Sequence, residues 1–305
     1  MSRLLLTVMT ALLLSAGSVL ASPLEDGDRA YNRGDYAEAI KAFRLAATQG
    51  EPTAETNLGV MYGNGQGVPQ DYAEAMKWYR LAAAQGNASA QCNIGVLYAN
   101  GRGVALALTE AVKWYRLAAA QGNEPAQFNL GVLYNDEKST MHNYPEAARW
   151  FQLAADKGDE QAQFNLGRMY YEGRGVTQDY GRAIGWYLRA AEQGDPKAQS
   201  SVGLMYSIGK GIPKNEAEAV KWYRLAASQG IETAQFNLGV MYANGQSVAQ
   251  NYVYAHMWFN LSGASGDVDG EKSREVIATR MTPQQIAEAQ KLARECQQRK
   301  FKDCE

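Results

Sequence analysis

The chain has 305 residues, with Lys+Arg 30 against Asp+Glu 32, and is 46% hydrophobic and 20% charged. It is too apolar for a disordered chain and too evenly charged to bind nucleic acid through bulk charge. A mean hydropathy of −0.40 with one long apolar run excludes a membrane transporter. Two histidines, His142 and His256, and three scattered cysteines leave little for a metal site, which needs three or four converging ligands, so no metal or cofactor is expected.

In chain order, Met1-Ser2-Arg3 is followed by an apolar stretch over residues 4–14 and small residues ending in Val19-Leu20-Ala21. One positive charge, a short apolar core and small residues at −3 and −1 predict a secretory signal peptide, residues 1–21, cleaved before Ser22. The core is shorter than the roughly 20 residues of a spanning helix. The mature chain is therefore expected to be periplasmic or secreted, with no stable membrane insertion.

Residues 22–50 carry Tyr31-Asn32-Arg33-Gly34-Asp35-Tyr36 and end in Ala46-Ala47-Thr48-Gln49-Gly50. They read as a capping repeat, a helical hairpin with a shortened loop. The tryptophans then fall at 78, 114, 150, 186, 222 and 258, each interval 36 residues, and divide 51–266 into six windows without insertion or deletion. A fixed period of this size marks a solenoid whose units bury their apolar faces against neighbours. In the first window Ala54, Leu58, Met61 and Tyr62 recur at helical spacing, and Tyr72, Ala75, Trp78 or Tyr79, Ala82 and Ala83 do so again. Gly63-Asn64-Gly65-Gln66-Gly67-Val68-Pro69 between them is a loop.

Gly86, Gly122, Gly158, Gly194 and Gly230 stand where a helix ends in a left-handed residue. Asn87, Asn123, Asp159 and Asp195 follow as N-caps, and Pro52, Pro125 and Pro196 fall in first helical turns. No linker separates the units, so one continuous array is expected. Residues 267–305 form C-terminal capping helices, the second opened by the capping box Thr282-Pro283-Gln284-Gln285 and expected over about 283–299, covering the open end of the stack.

Leu58-Gly59-x-x-Tyr62, Gly65-x-Gly67-Val68 and Tyr72-x-Glu74-Ala75-x-Lys77-Trp78-Tyr79-x-x-Ala82-Ala83-x-x-Gly86, repeated through all six windows, resemble the Sel-like repeat, a relative of the tetratricopeptide repeat. The resemblance implies an all-α fold, a right-handed α/α solenoid of stacked helical hairpins acting as a protein-interaction scaffold. In bacteria many such proteins are exported. One disulfide-rich branch is linked to β-lactam binding or hydrolysis and has a cysteine pair in each repeat. Here only Cys92 lies in a window, as a semi-buried thiol, so that activity is not carried over.

No local motif signals catalysis. The Gly-x-Gly loops, Gly209-Lys210-Gly211 included, have no preceding strand and read as turns. Asp267-Val268-Asp269-Gly270 lacks the later ligands of a calcium loop and reads as a helix start. No nucleophile motif is present. Cys296 and Cys304 would sit about 12 Å apart on one straight helix, too far to bond, so a helix end is expected between them near Arg299 or Lys300. Closure in an oxidising compartment would contribute about 2.6 kcal/mol. Each tryptophan is followed by Tyr79, Tyr115, Phe151, Tyr187, Tyr223 or Phe259. One of each pair faces the core and the other a seam, which makes the tryptophans packing residues rather than a ligand stripe.

A binding surface is expected on the first helices, which line the concave side if stacking follows the tetratricopeptide pattern. Its residues are Thr56, Asn57 and Val60, then Cys92, Asn93 and Val96, then Phe128, Asn129 and Val132. Phe164, Asn165 and Arg168 follow, then Ser200, Ser201 and Leu204, then Phe236, Asn237 and Val240. Asparagine amides bond an extended backbone while apolar neighbours hold side chains. The competing reading has the asparagines bonding between repeats and the phenylalanines packing laterally. The glycine loop is replaced at 136–143 by a polar protrusion containing His142, a second candidate contact. Gly181 and Gly185 in a second helix mark either a soft joint or a close approach. The expected function is an exported, non-enzymatic scaffold for a protein or peptide. The alternative is an envelope enzyme or cell-wall-ligand binder related to β-lactam or peptidoglycan.

Overall fold

The computed structural model describes residues 21–304, and every regular element among them is an α-helix. The first hairpin is α1 (Pro23–Asn32) and α2 (Tyr36–Thr48). Hairpins α3 (Pro52–Asn64) with α4 (Tyr72–Ala84) and α5 (Ala88–Asn100) with α6 (Leu108–Ala120) follow. Next come α7 (Glu124–Asn135) with α8 (Tyr144–Ala155), α9 (Glu160–Glu172) with α10 (Tyr180–Gln193), and α11 (Pro196–Ile208) with α12 (Glu216–Ala227). The last are α13 (Glu232–Asn244) with α14 (Tyr252–Ala264), then α15 (Val268–Ala278) and α16 (Pro283–Gln298). Two compact units divide within α6, one ending at Ala111 and the other beginning at Val112. In each, hairpins stack through the second helix of one and the first helix of the next.

The junctions follow from the capping residues. Asn87, Asn123, Asp159 and Asp195 accept from backbone N–H groups in the first turn of the helix each precedes. Gly86, Gly122, Gly158, Gly194 and Gly230 take φ of 88°, 81°, 107°, 108° and 84°. Inside the hairpin the determining contact is a first-helix glycine beneath a second-helix ring. A Cβ built on Gly131 or Gly203 would lie 2.5 Å from the Phe151 ring or 2.7 Å from the Tyr223 ring. The residue after each tryptophan is therefore the core residue: Tyr79, Tyr115, Phe151, Tyr187, Tyr223 and Phe259 are all buried. The tryptophans take the seam, half-buried except for the buried Trp150 and Trp258.

Two ladders register the stack. Buried glutamines bond carbonyls at the C-terminus of the preceding second helix: Gln163 Nε2 donates to Ala155 O and Gln199 Nε2 to Ala191 O, both at 3.2 Å. The same glutamines accept, through Oε1, from Gln193 at 2.8 Å and Gln229 at 2.9 Å. Gln229 also donates to Gly194 O at 3.1 Å, one repeat back. These bonds satisfy side-chain amides that burial would otherwise strand. In the second ladder an arginine guanidinium donates to the tyrosine hydroxyl of the next first helix. Arg44–Tyr62, Arg80–Tyr98, Arg116–Tyr134 and Arg224–Tyr242 lie at 2.6, 3.2, 2.9 and 2.8 Å. Gln152 and Leu188 hold the equivalent arginine positions in between.

The C-terminal segment departs from the expected arrangement. α16 starts at the anticipated capping box and ends at Gln298 with Arg299 as C-cap, but it does not pair with α15 as a repeat hairpin would. It packs on α14. Outer positions that are exposed on α12, Lys221 and Leu225, become Met257 and Leu261 on α14, both fully buried. They share one cluster with Ala293, Cys296 and Cys304. The helix end between the cysteines brings their Cα atoms to 5.0 Å, with the sulfurs at bonding distance.

Candidate binding surface

The first-helix positions separate by depth. Thr56 is buried and its hydroxyl donates to Pro52 O at 2.8 Å, which removes it from any surface. Cys92 is likewise buried. Phe128, Phe164 and Phe236 are half-buried, their rings tilted against Phe151, Tyr187 and Phe259 at centroid distances of 5.9, 5.7 and 5.6 Å. They pack within the hairpin as the competing reading has it, leaving one edge toward solvent.

The asparagines do not act as one set. Asn57 Nδ2 donates to Asp28 Oδ1 of the preceding hairpin at 3.2 Å. Asn165 Nδ2 donates to Gln161 O at 2.8 Å, one turn back on its own helix, and Arg168 reaches Asn165 Oδ1 at 3.5 Å. Asn129 and Asn237 are half-buried at the equivalent height. Ser200 and Ser201 turn to Thr233 Oγ1 and Lys197 O at 3.1 and 2.9 Å.

One turn further along, the surface is apolar except at Arg168. Val60, Val96 and Val240 are half-buried, while Val132 and Leu204 are 44% and 40% exposed. Shallow cavities open between successive first helices at this level. One of 280 Å³ is lined by Asp28, Tyr31, Asn57 and Val60, and one of 250 Å³ joins Val60 to Asn93, Val96 and Arg102. In the second unit a cavity of 300 Å³ lies between Val240 and Val276, with Lys272 and Arg280 beside it. Each offers apolar contact beside several polar groups over a small area, which suits side chains of an extended segment.

The loop at 136–143 is tied down rather than free. Glu137 accepts from the Tyr144 hydroxyl and pairs with Arg174 at 3.1 Å, and the His142 ring stands edge-on to Tyr144 at 4.4 Å. The Tyr144 hydroxyl, aided by Arg174, holds the Glu137 carboxyl below its ordinary range. Among the described residues no cluster of three or more His, Cys, Asp or Glu could hold a metal, and no helix is long and apolar enough to cross a membrane. The expected signal peptide, apart from Ala21, lies outside the described residues.

Sequence reasoning missed the buried glutamines, although Gln91, Gln127, Gln163, Gln199 and Gln235 recur at the 36-residue interval. A polar residue kept at one register position is the signal that could have found them.

No curated protein matches the chain. Among solved structures, a Sel1 repeat protein from Oxalobacter formigenes is 34% identical, with a TM-score of 0.68 over 80% of this chain and 97% of that one. A protective antigen present in uropathogenic Escherichia coli strains, displaying an SLR fold, is 28% identical with a TM-score of 0.50, over 92% of this chain and 85% of that one. The Sel1 repeat model matches residues 52–87, 88–123, 124–159, 160–195, 196–231 and 233–267. These six repeats make the chain a member of the Sel1 repeat family, whose proteins are generally protein-interaction scaffolds.

Proposed function

We propose that the chain is an exported scaffold that holds an extended protein or peptide segment on the exposed face of its first helices. The observation that supports this most is the apolar side chains at this level in each unit, Val60 and Val96 beside shallow cavities in the first, and in the second the exposed Val132 and Leu204 with Val240 beside a cavity. A bound segment would place side chains in these cavities, while amides such as Asn93 and Asn237 meet its backbone. Export is supported by the residues preceding Ser22 and by the proximity of Cys296 and Cys304, a pair that closes in an oxidising compartment.

The test is crosslinking capture from envelope extracts with the unaltered chain and with Val132→Asp/Leu204→Asp. Both side chains are already partly in water, so the melting temperature should shift little. The captured partner should be lost, and the mature protein should begin at Ser22 by mass spectrometry. Capture unchanged by the double substitution overturns the first-helix surface. An N-terminus retaining Met1 overturns export without bearing on the surface.

A further inference from the structure

In the second unit the first-helix face ends on α15, which follows the last repeat and keeps its register. Val276 takes the position of Val132, Leu204 and Val240 one or more periods earlier. It is 61% exposed, the most open of the four. Two other register positions change character on this helix. Lys272 stands where Phe128, Phe164 and Phe236 stand, and Arg280 stands where Asn244 stands. The apolar stripe is thus carried forward onto α15 with a cation one turn to either side of it.

The 300 Å³ cavity between α13 and α15 has Val240, Phe259, Val276 and Ile277 as apolar walls, with Lys272 and Arg280 in its lining and no carboxylate. Its volume, at the low end for ligand pockets, suits one large side chain. The three acids of α15 do not cancel the two cations. Asp269 pairs with Lys272 at 3.9 Å, an exposed i,i+3 contact that contributes little. Glu271 lies against α14, its Cγ 2.7 Å from where a Gly263 Cβ would stand, and the exposed Glu275 is not part of the lining. On α13 the one acid, Glu232, is the first residue of the helix, at the opposite end from Asn244, and α14 has none. Among the described residues no carboxylate pairs with Arg280. Its guanidinium presents the planar fork that a carboxylate engages through two parallel bonds. The charge is particular to this cavity: the one beside Val60 in the first unit has Asp28 in its lining and no cation.

We infer that the α13–α15 cavity selects, within a bound extended segment, a large apolar residue with an aspartate or glutamate next to it. The apolar side chain enters between Val240 and Val276 onto Phe259, and the adjacent carboxylate takes the fork of Arg280. This selectivity rests on the first-helix surface proposed above and specifies what that surface recognises at its α15 end.

The test pans a random linear peptide library against the full oxidised chain, with peptides of about 12 residues, enough extended chain to cross several first helices. Fluorescein-labelled copies of enriched peptides are then titrated by anisotropy, amidated at the C-terminus so that a bound carboxylate is a side chain's. Enriched sequences should set Leu, Ile or Phe beside Asp or Glu, and their binding should weaken with added salt. Arg280→Glu and Val276→Gln should each weaken binding about tenfold or more. A peptide with lysine in place of the acid should bind Arg280→Glu better than the unaltered chain, a rescue that loss of folding cannot produce. Lys221→Glu, a charge reversal on α12 of the same unit, should leave binding unchanged. Failure to enrich, enrichment without an acid, an unaffected Arg280→Glu variant, or an equal loss in Lys221→Glu each overturns the selectivity. The wider surface is read separately: peptides that bind without an acid yet are lost with Val132→Asp/Leu204→Asp leave the first-helix surface standing while this cavity's role falls.

Discussion

His256 occupies a position held by Met76, Val112, Ala148, Ile184 and Val220 in the other repeats. It is buried there, and its Nδ1 lacks a hydrogen-bond partner. Burial, aided by the Arg274 guanidinium, holds its pKa below the ordinary histidine value. The unfolded chain thus takes up a proton first, and stability present at neutral pH is lost as pH falls below about 6.5 toward the lower native pKa. His256→Val should raise stability by about 1 kcal/mol at neutral pH and flatten the fall of the urea midpoint as pH drops below about 6.5. At this scale much was legible from local chemistry: Asn87 and Gly86 announce a cap and a left-handed turn by residue type alone. The depth of Thr56 was not, because helical spacing does not say how closely a neighbouring hairpin approaches, nor that a hydroxyl bonds back to Pro52.

Among the helices, α10 carries an avoidable cost. A Cβ on Gly185 would meet nothing within 4 Å, and one on Gly181 would meet only Asp179 Oδ1 at 3.3 Å. The close-approach reading therefore fails for Gly185, and what remains there is conformational freedom in a helix interior. Gly185→Ala should stabilise the chain by about 1 kcal/mol, read as a higher urea midpoint with unchanged slope. Where α16 begins was plain from Thr282, Pro283 and Gln285, because a capping box is a local device. Where it packs was not. The clue was one register position: Lys221 on α12 becomes Met257 on α14, a charge lost from the outer face where α16 packs. Compared register by register, that substitution marks the covered face, whereas the amphipathicity of α16 alone fits either location.

For the molecule as a whole, the 36-residue period made the architecture readable and left the partner unreadable for the same reason. Residues that recur, such as Trp78 and Tyr79, recur because each hairpin solves the same packing problem, so their repetition reports stacking. Information about a partner lies in positions free to vary, such as Val132, Arg168 and Leu204 along one face, and variation within one chain does not name a ligand. Nearest-neighbour stacking also makes stability local. Gly203→Ala drives a methyl toward the Tyr223 ring and should cost about 1–3 kcal/mol. Hydrogen exchange should rise in α11–α13 while protection of α1–α4 is retained; equal acceleration throughout would refute this locality.

The glutamine ladder sets a rule for how such a chain can change length. Gln199 reaches a carbonyl 8 residues back, Gln229 reaches a glutamine 30 residues back, and its bond to Gly194 spans 35. Every span is shorter than one period, so removal or duplication of a whole 36-residue cassette leaves each donor facing an equivalent acceptor. A deletion of any other size within the helices shifts the donors off their carbonyls and strands polar groups at a buried junction, whereas the loop inside a hairpin can shorten, as it does between Asn32 and Tyr36. The hydrogen bonds act as a length standard for the helices, and viable relatives of this chain should differ by whole hairpins or in these loops.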